Sequence, residues 1–498
     1  MLLRARRVSG SLAPLRPKCD TIALLSYVCP ESTTITGSRN MVRVTGHTYE
    51  RSAIVSHFRR NGARDPLTRR ALSSTKVMTN WAVRQIVQDW LDRHPGVLPD
   101  DWESRDLLEP SRDNGTVRND EGGDAGVLRT WRAMCPALQE RWPEAARPEQ
   151  WEGVRIENGR VVELVLEEFG LTGAVPAEIG RLSALRTLDL TDNQLTSVPA
   201  EIWQLTTLRV LDLSGIQLTS VPAEIVQLTA LRELYVRDNL LTSVPAEIGQ
   251  LTSLKVLDLW CNQLESLPAE IGQLTSLEEL DLGSNRLTCV PDVIGQLTSL
   301  VSLNLNYNQL TSLQVEIGQL TSLKVLNLRD NLLTSVPAEI GQLTSLWQLT
   351  LADNHLTSVP AEIVQLTSLA YLNLEGNQLT SVPAEIGQLT SLRCLNLGRN
   401  QLTTLPAEIW QLTSLREFYL YGNQLTSVPT EIGQLTSLRS LNLGQNQLTS
   451  VPAEIGQLTS LVRLSLKGTQ LTTLPARIRE LRAAGCEVHM GAGVTFEE

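Results

Sequence analysis

Polar and titratable side chains are concentrated between residues 46 and 68. The phrase G-H-T-Y-E-R occupies residues 46–51, and D-P-L-T occupies residues 65–68. Such side chains can transfer protons, bind metals, or hold a fold together through hydrogen bonds. The chain contains no G-x-x-x-x-G-K, G-x-G-x-x-G, G-x-S-x-G or H-E-x-x-H motif and has five histidines in all. We therefore predict no metal or cofactor, and we interpret these residues as the polar centre of a small folded unit.

The elements that would position these side chains are short. We predict a helix from Tyr49 to Phe58, with Ile54 and Phe58 facing inward because they are four residues apart. Asn80 suits the N-cap of a second helix, whose apolar face continues to Trp90. Together they predict a compact unit of two loops around a helix, with polar groups at its centre.

This stretch resembles the U-box, the zinc-free relative of the RING finger found in E3 ubiquitin ligases. Cys29-Pro30, the two phrases above, the isoleucine that follows and the asparagine of the last helix match that family. The resemblance implies a charged hydrogen-bond network in the place of zinc. The structural residues that it implies are Gly46, His47, Tyr49, Glu50, Arg51, Asp65, Pro66, Thr68 and Asn80.

The resemblance also implies a docking platform for a ubiquitin-conjugating enzyme (E2) that carries ubiquitin as a thioester. Such ligases have no nucleophile of their own and act by proximity. The docking residues that carry over to this chain are Pro30, His57 and Phe58. Two positions depart from the family pattern: Glu31 stands where an apolar residue is usual, and Thr79 where proline is usual. An acid in an apolar docking groove costs free energy if it is desolvated, so these departures bear on activity.

A second and longer pattern runs from about Leu164 to Leu481. Residues 257–264, 280–287 and 303–310 each read L-x-L-x-x-N-x-L, and their asparagines are 23 residues apart. A fixed period of this length predicts stacked units that cannot bury their apolar faces alone. The asparagine recurs at Asn193, Asn239, Asn262, Asn285, Asn308, Asn331, Asn354, Asn377, Asn400, Asn423 and Asn446. Phe169 and Thr469 replace it in the terminal units, and Ile216 replaces it without a reason visible in the sequence.

The pattern L-x-x-L-x-L-x-x-N-x-L is that of the leucine-rich repeat, and its L-P-x-x-I variant resembles the intracellular repeats of Ras-pathway scaffolds, which bind proteins. In each unit we expect a strand with inward leucines, then an asparagine that bonds hidden backbone groups. Proline, such as Pro268, would start a short helical or 3-10 segment, and Gly272 would let the chain turn back. The predicted fold is an α/β leucine-rich-repeat solenoid, a horseshoe of about 14 repeats of 23 residues, preceded by a small α+β U-box.

The chain divides into six predicted segments: a disordered basic tail (1–24), the U-box (25–95), a flexible linker (96–126), an N-terminal cap (127–163), the repeats (164–475) and a C-terminal cap (476–498). In the N-terminal cap we predict a helix from Leu128 to Trp142, and in the C-terminal cap a helix from Ile478 to Ala484 followed by an edge strand. The composition of residues 1–20 also fits an organellar transit peptide, which is the alternative to a basic tail.

Charge and cysteine content limit the partners. The first 100 residues carry 16 Lys and Arg against 7 Asp and Glu, and the remainder carries 27 against 47. The basic part lacks interleaved aromatic residues, so no nucleic-acid partner is predicted. Seven scattered cysteines without C-x-x-C favour a reduced compartment. No apolar run reaches the ~18–20 residues that cross a bilayer. We expect a cytoplasmic protein without a membrane partner.

The repeats differ from one another mainly at strand positions that face the concave surface. Aromatic and arginine side chains on an exposed rigid face are typical of binding hot spots. The predicted substrate-binding residues are Tyr235, Arg237, Trp260, Asp281, Tyr307, Arg329, Trp347, Tyr371, Arg399, Tyr419 and Tyr421. The alternative is neutral variation on a solvated face after duplication.

Two functions fit these observations. In the first, the chain is an E3 ubiquitin ligase whose U-box docks a ubiquitin-charged E2 while the repeats bind a protein substrate. In the second, the U-box is degenerate and the chain is a non-catalytic scaffold. The sequence does not name the substrate.

Overall fold

The computed structural model describes residues 41–44, 47–50 and 123–497. The chain divides into one unit from Met1 to Val117 and a second from Arg118 to Glu498. In the first unit the described residues form strands β1 (Met41–Val44) and β2 (His47–Glu50).

The two strands of the first unit pair antiparallel, with Met41 opposite Glu50 and Val44 opposite His47. The prediction that a helix begins at Tyr49 is therefore wrong, because Tyr49 and Glu50 lie in β2. Threonine and tyrosine favour strands, and so do the two valines of β1. His47 also lies in β2, and the other residues predicted for the U-box lie outside the described residues.

The second unit begins with two helices, α1 (Asp124–Met134) and α2 (Pro136–Arg141). The sequence predicts one helix from Leu128 to Trp142. This prediction is wrong in two respects, the residue at which the helix starts and its continuity. The helix starts inside the predicted linker, and it breaks at Cys135 because Pro136 cannot donate a backbone hydrogen bond.

A stacked tryptophan pair and a buried aspartate hold the N-terminal cap together. The rings of Trp142 and Trp151 stack with centroids 4.9 Å apart. Strands β3 (Val154–Glu157) and β4 (Arg160–Val165) form an antiparallel hairpin. Asp124, 7% exposed, accepts hydrogen bonds from the Val161 N–H (2.8 Å) and from Arg160 Nε (3.0 Å). A short 3-10 turn, Pro148–Gln150, joins the helices to the hairpin.

The main sheet of this unit has 16 strands. It consists of β3, β4, one strand from each following repeat, and one strand of the C-terminal cap. All of its pairings from β4 onward are parallel. The repeat strands are β6 (Thr187–Asp189), β8 (Val210–Asp212), β9 (Glu233–Tyr235), β10 (Val256–Asp258), β11 (Glu279–Asp281), β12 (Ser302–Asn304), β13 (Val325–Asn327), β14 (Gln348–Thr350), β15 (Tyr371–Asn373), β16 (Cys394–Asn396), β17 (Glu417–Tyr419), β18 (Ser440–Asn442) and β19 (Arg463–Ser465). A separate parallel pair, β5 (Thr172–Ala174) and β7 (Gln194–Ser197), joins the first two repeats.

On the other side of each repeat lies a 3-10 helix of five residues, as predicted. In the repeat that begins at Pro268, the proline has φ −68° and the helix is Ala269–Gln273. The full set is Ala177–Arg181, Ala200–Gln204, Ala223–Gln227, Ala246–Gln250, Ala269–Gln273, Asp292–Gln296, Val315–Gln319, Ala338–Gln342, Ala361–Gln365, Ala384–Gln388, Ala407–Gln411, Thr430–Gln434 and Ala453–Gln457.

Glycine in these helices serves close packing, and the role predicted for Gly272 is wrong. A Cβ atom on Gly272 would lie 2.8 Å from the carbonyl oxygen of Val293 in the next repeat. The left-handed backbone occurs elsewhere, at the residue before the asparagine position. It is found there in every repeat, from Glu168 (φ 54°) to Gly468 (φ 77°). Non-glycine residues accept that conformation at a small cost because the stacked array fixes it.

The C-terminal cap closes the apolar end of the array. It contains β20 (Thr473–Leu474), α3 (Ala476–Ala483), β21 (Glu487–His489) and β22 (Thr495–Phe496). The predicted edge strand is present as β21, which pairs with β19. The predicted helix begins two residues earlier than expected, directly after Pro475.

Leucine and isoleucine from every repeat form one continuous core from Val127 to Cys486. In the unit of β10, for example, Leu254 and Leu264 are 0% exposed and Leu257 is 1% exposed. Each such side chain contributes roughly 1.5–3 kcal/mol, so stability accumulates between neighbours. The predicted leucine-rich-repeat solenoid is thereby confirmed. Within the described residues, no helix is long and apolar enough to span a bilayer.

Candidate binding face of the solenoid

The asparagines hold the stacked repeats together and are not part of a binding face. Asn262 Nδ2 donates to the carbonyl oxygens of Leu259 (3.0 Å) and of Val236 in the previous repeat (3.0 Å). Its Oδ1 accepts the N–H of Leu241, also in the previous repeat, at 3.0 Å. This confirms the predicted role. Ile216 occupies the same position, is 5% exposed and packs in the core, although its side chain cannot make these bonds.

The outward-facing residues of the strands form rows across the sheet, because equivalent residues pair in register. We call the last residue of each strand, from Asp189 to Ser465, the central row. Its sequence changes along the array, from aspartate in the early repeats to asparagine in the later ones. Adjacent strands are about 4.8 Å apart, so neighbouring side chains of a row touch.

Four carboxylates of the central row lie in two adjacent pairs. Asp189 is opposite Asp212, and Asp258 is opposite Asp281. Burial and the Asp212 carboxylate raise the pKa of Asp189 to about 7. Burial and the Asp281 carboxylate raise the pKa of Asp258 to about 8. The early repeats thus present a row of four carboxylates, Asp189, Asp212, Asp258 and Asp281, which we call the acidic row. Part of this row carries protons near neutral pH.

Tyr235 and Arg237 lie between the two aspartate pairs. Tyr235 separates the pairs in the central row, opposite Asp212 and Asp258. Burial by itself lowers the pKa of Arg237. The surrounding carboxylates, of which Asp258 and Asp212 act most strongly, raise that pKa by a larger amount, so the net shift is upward. Arg237 is therefore a firmly charged cation inside an acidic surface.

Two of the predicted contact residues are not exposed. Tyr235 and Tyr419 are 8% and 6% exposed, so the expectation that they stand out on the face is wrong. Tyr419 donates a hydrogen bond to Glu417 Oε2 (3.0 Å), and Tyr235 contacts Glu233 Oε2 at 3.4 Å. Burial, followed by the adjacent glutamate, raises the pKa of each tyrosine. Neighbouring side chains on adjacent strands cover these rings, which a single repeat does not reveal.

A second charged cluster forms around Asp353. Arg329 Nη2 lies 2.9 Å from Asp353, and Arg399 Nη1 lies 3.3 Å from the same carboxylate. Arg399 also approaches Glu375 at 3.7 Å, and Tyr421 donates a hydrogen bond to Glu375. Burial raises the pKa of Asp353 although two arginines lie beside it. Three predicted residues, Arg329, Arg399 and Tyr421, are thus brought into one network.

The remaining predicted residues lie in other parts of the face. Trp347 and Tyr371 are half-buried and pack with ring centroids 4.7 Å apart. Trp260 is half-buried beside Gly283, where a Cβ atom would lie 2.8 Å from the indole Cδ1. Tyr307 is the exception: it is half-buried with a left-handed backbone (φ 52°) and interacts with Arg329 and Asp330 beside the cluster around Asp353. Asp281 accepts two hydrogen bonds from Asn304 Nδ2, at 3.0 and 3.1 Å.

Asp189 and Asp212 belong to the acidic row but were missing from the predicted set. The signal was present in the sequence, because Leu-Asp-Leu recurs at 188–190 and 211–213 with the repeat period.

Of the predicted U-box residues, His47, Tyr49 and Glu50 lie in β2. The others lie outside the described residues: Pro30, Glu31, Gly46, Arg51, His57, Phe58, Asp65, Pro66, Thr68, Thr79 and Asn80.

Comparison with protein families agrees with this division. Residues 28–96 match the U-box domain. The leucine-rich repeat region family matches residues 159–265, 309–418 and 367–445, and two further leucine rich repeat families match 252–310 and 437–458.

Known proteins resemble the solenoid. A leucine-rich-repeat protein of Leptospira interrogans is 43% identical, with a TM-score of 0.60, and the match covers 66% of this chain and 90% of that one. The chain belongs to the leucine-rich-repeat proteins, and it carries a U-box domain before its repeats.

Plant receptors are similar over part of their length. The ectodomain of the Arabidopsis thaliana receptor kinase GASSHO1/SCHENGEN3, solved in complex with Casparian strip integrity factor 2, is 32% identical with a TM-score of 0.53. That match covers 64% of this chain and 42% of the receptor chain. Phytosulfokine receptor 2 of Arabidopsis thaliana is 39% identical over 74 residues, which is 14% of this chain and 7% of the receptor.

Proposed function

We propose that this chain is an E3 ubiquitin ligase in which the U-box docks a ubiquitin-charged E2 and the solenoid binds the protein substrate. The observation that carries the proposal is the combination of a U-box domain with a long leucine-rich-repeat region in one chain. The U-box supplies no nucleophile. It holds the E2 thioester close to a substrate lysine, which raises the effective concentration of the two reactants.

The solenoid is suited to the substrate-binding part. Its sheet carries an acidic row in the early repeats, and in later repeats it carries the cluster around Asp353 and the Trp347–Tyr371 pair. A rigid face with varied charge and half-buried aromatic residues is typical of protein recognition. The similar plant ectodomain, solved in complex with Casparian strip integrity factor 2, supports a binding role for this type of fold. We place the reaction in the cytoplasm.

Two residues favour a second candidate function, that of a non-catalytic scaffold. Glu31 and Thr79 occupy positions where the family has an apolar residue and proline. An acid that must enter an apolar groove weakens docking, because it loses its hydration. In the scaffold alternative the solenoid binds its partner while no E2 is recruited.

A reconstituted reaction separates the two functions. Purified full-length chain is incubated with ubiquitin, activating enzyme, ATP and a panel of E2s, and ubiquitin conjugates are detected by immunoblot. A ligase forms conjugates with at least one E2, Pro30→Ala reduces them, and Glu31→Ile increases them. The surface substitution Arg209→Ala is the control that leaves them unchanged. Conjugates absent with every E2, for both the native chain and Glu31→Ile, would contradict the ligase and favour the scaffold.

A further inference from the structure

The residue that precedes each repeat strand forms a line along one edge of the sheet. We call residues 324, 347, 370, 393, 416, 439 and 462 the edge strip. From Trp347 onward, the backbone N–H of each member donates to the carbonyl oxygen of the member before it, at 2.7–2.9 Å throughout. The side chains therefore follow one another at the strand spacing of about 4.8 Å. In order they are Lys324, Trp347, Ala370, Arg393, Arg416, Arg439 and Val462.

An aromatic platform lies near the start of the strip. The rings of Trp347 and Tyr371 are inclined at 57° with centroids 4.7 Å apart, and both side chains are half-buried. The next member of the strip is Ala370, which is small and 3% exposed. Ala370 is small, so the large side chain of the next repeat that packs on the Trp347 indole is Tyr371. Tryptophan and tyrosine in such a place bind apolar side chains strongly.

Three arginines follow the platform. Arg393 is exposed, and Arg416 and Arg439 are half-buried. The latter two line a cleft of about 440 Å³ together with Ser437, Ser460 and Val462. Guanidinium and hydroxyl groups around one cleft are suited to carboxylates.

The ends of the strip fit the same type of ligand. Val462 closes the cleft with an apolar side chain that is 51% exposed. In the row beside the arginines, the Glu417 carboxylate is 6% exposed and accepts the hydrogen bond from Tyr419. This buried, hydrogen-bonded carboxylate is less accessible to a ligand than the exposed side chain of Arg393.

The spacing of these groups matches an extended peptide. Arg393 is two strand spacings from Trp347, or about 10 Å, and Arg439 is four spacings away, or about 19 Å. An extended chain advances about 3.3 Å per residue, so these distances correspond to about three and about six residues.

We propose that the edge strip binds an extended acidic segment of a partner protein. An aromatic or large aliphatic side chain of that segment packs on Trp347 and Tyr371, and carboxylates three to six residues away bind the arginines. The inference rests on the proposed function, because it names the type of segment by which a substrate is held. A peptide is favoured over nucleic acid because the acidic row of the same sheet repels a long polyanion.

The test uses the full-length chain and fluorescein-labelled peptides with one phenylalanine, two alanines and four glutamates, made in both chain directions. Binding is followed by fluorescence anisotropy. We expect Trp347→Ala to weaken binding at least tenfold, and Arg393→Ala/Arg439→Ala to weaken it about tenfold and to reduce its dependence on salt. The matched control Arg209→Ala/Arg232→Ala removes the same charge at the same repeat position and should change the Kd less than twofold.

Each alternative outcome is distinguishable. Equal losses in the two arginine pairs would show general charge attraction and overturn the proposal, as would equal binding of a peptide with glutamine in place of glutamate. Tighter binding of a single-stranded 12-nucleotide RNA, lost in the same variants, would assign the strip to nucleic acid. Circular dichroism confirms that each variant is folded. The assay contains no E2 or ubiquitin, so an inactive U-box leaves its result unchanged.

Discussion

Removing one carboxylate from the acidic row should stabilise the protein above neutral pH. Asp258 is opposite Asp281, and burial together with that neighbour raises the pKa of Asp258 to about 8. The substitution Asp258→Asn keeps the shape and the acceptor for the Trp260 N–H, which lies 3.0 Å from Oδ1. The later repeats show that asparagine fits here, because Asn396 accepts the Gly398 N–H in the same way at 3.0 Å.

The sign and size follow from proton linkage. In the unfolded chain an aspartate has a pKa near 3.9, so between about pH 4 and pH 8 the folded state binds more protons than the unfolded state. The contribution of Asp258 to stability therefore falls as pH rises through that window. A shift of about four pKa units corresponds to an upper limit of about 5–6 kcal/mol. Because solvent screens a partly exposed side chain and the charge is shared with Asp281, we expect a gain of about 1–2 kcal/mol at pH 8.

Thermal unfolding of the full-length chain at pH 5 and pH 8 measures this effect. For a solenoid of this size the gain corresponds to a Tm increase of about 1–3 °C at pH 8, with little change at pH 5. The opposite substitution, Asn304→Asp, is the matched control: it adds a carboxylate next to Asp281 and should lower Tm at pH 8. The reasoning would be refuted if Asp258→Asn lowered Tm at pH 8, or if both variants shifted it in the same direction.

Three further predictions concern the scaffold that positions the face. Asn354→Ala should destabilise the array by about 2–4 kcal/mol, because it removes a 3% exposed amide that satisfies backbone groups of two repeats; denaturant unfolding measures the loss. Gly387→Ala should lower Tm, since its Cβ would meet a carbonyl oxygen of the next repeat at 2.2 Å, whereas Gly491→Ala, with its nearest neighbour at 3.6 Å, should leave Tm unchanged. Asp124→Ala should leave the Val161 N–H without its acceptor, cost about 1–3 kcal/mol and speed limited proteolysis of the N-terminal cap; an unchanged cleavage rate would contradict this.

The repeat period carries most of what the sequence predicts about the fold. The 23-residue spacing sets the register of the strand pairs from β6 to β19, as in the alignment of Val256 with Glu279. Leucine spacing then identifies the buried side, and proline identifies the start of each 3-10 helix, as at Pro268. These features are local and recur, so a single sequence is enough to read them.

Features that depend on neighbouring strands were harder to predict. Tyr235 and Tyr419 are buried because side chains on adjacent repeats cover them, and the sequence of one repeat does not report that contact. The raised pKa of Asp258 likewise requires Asp281 on the next strand. The helix break at Cys135 was readable from Pro136, but it competed with a continuous apolar pattern. For the U-box, the family resemblance identified the domain, and its contact residues remain predictions.

Discharge of ubiquitin from a preloaded E2 to lysine in solution tests ligase activity most directly. The chain has five lysines, so conjugates on the chain itself report transfer less sensitively than an acceptor in excess. A single-turnover assay should show faster loss of the E2 thioester when full-length chain is added, with the acceleration reduced in His57→Ala. A discharge rate that is the same with and without the chain, for every E2 that is tried, would contradict ubiquitin transfer as its function.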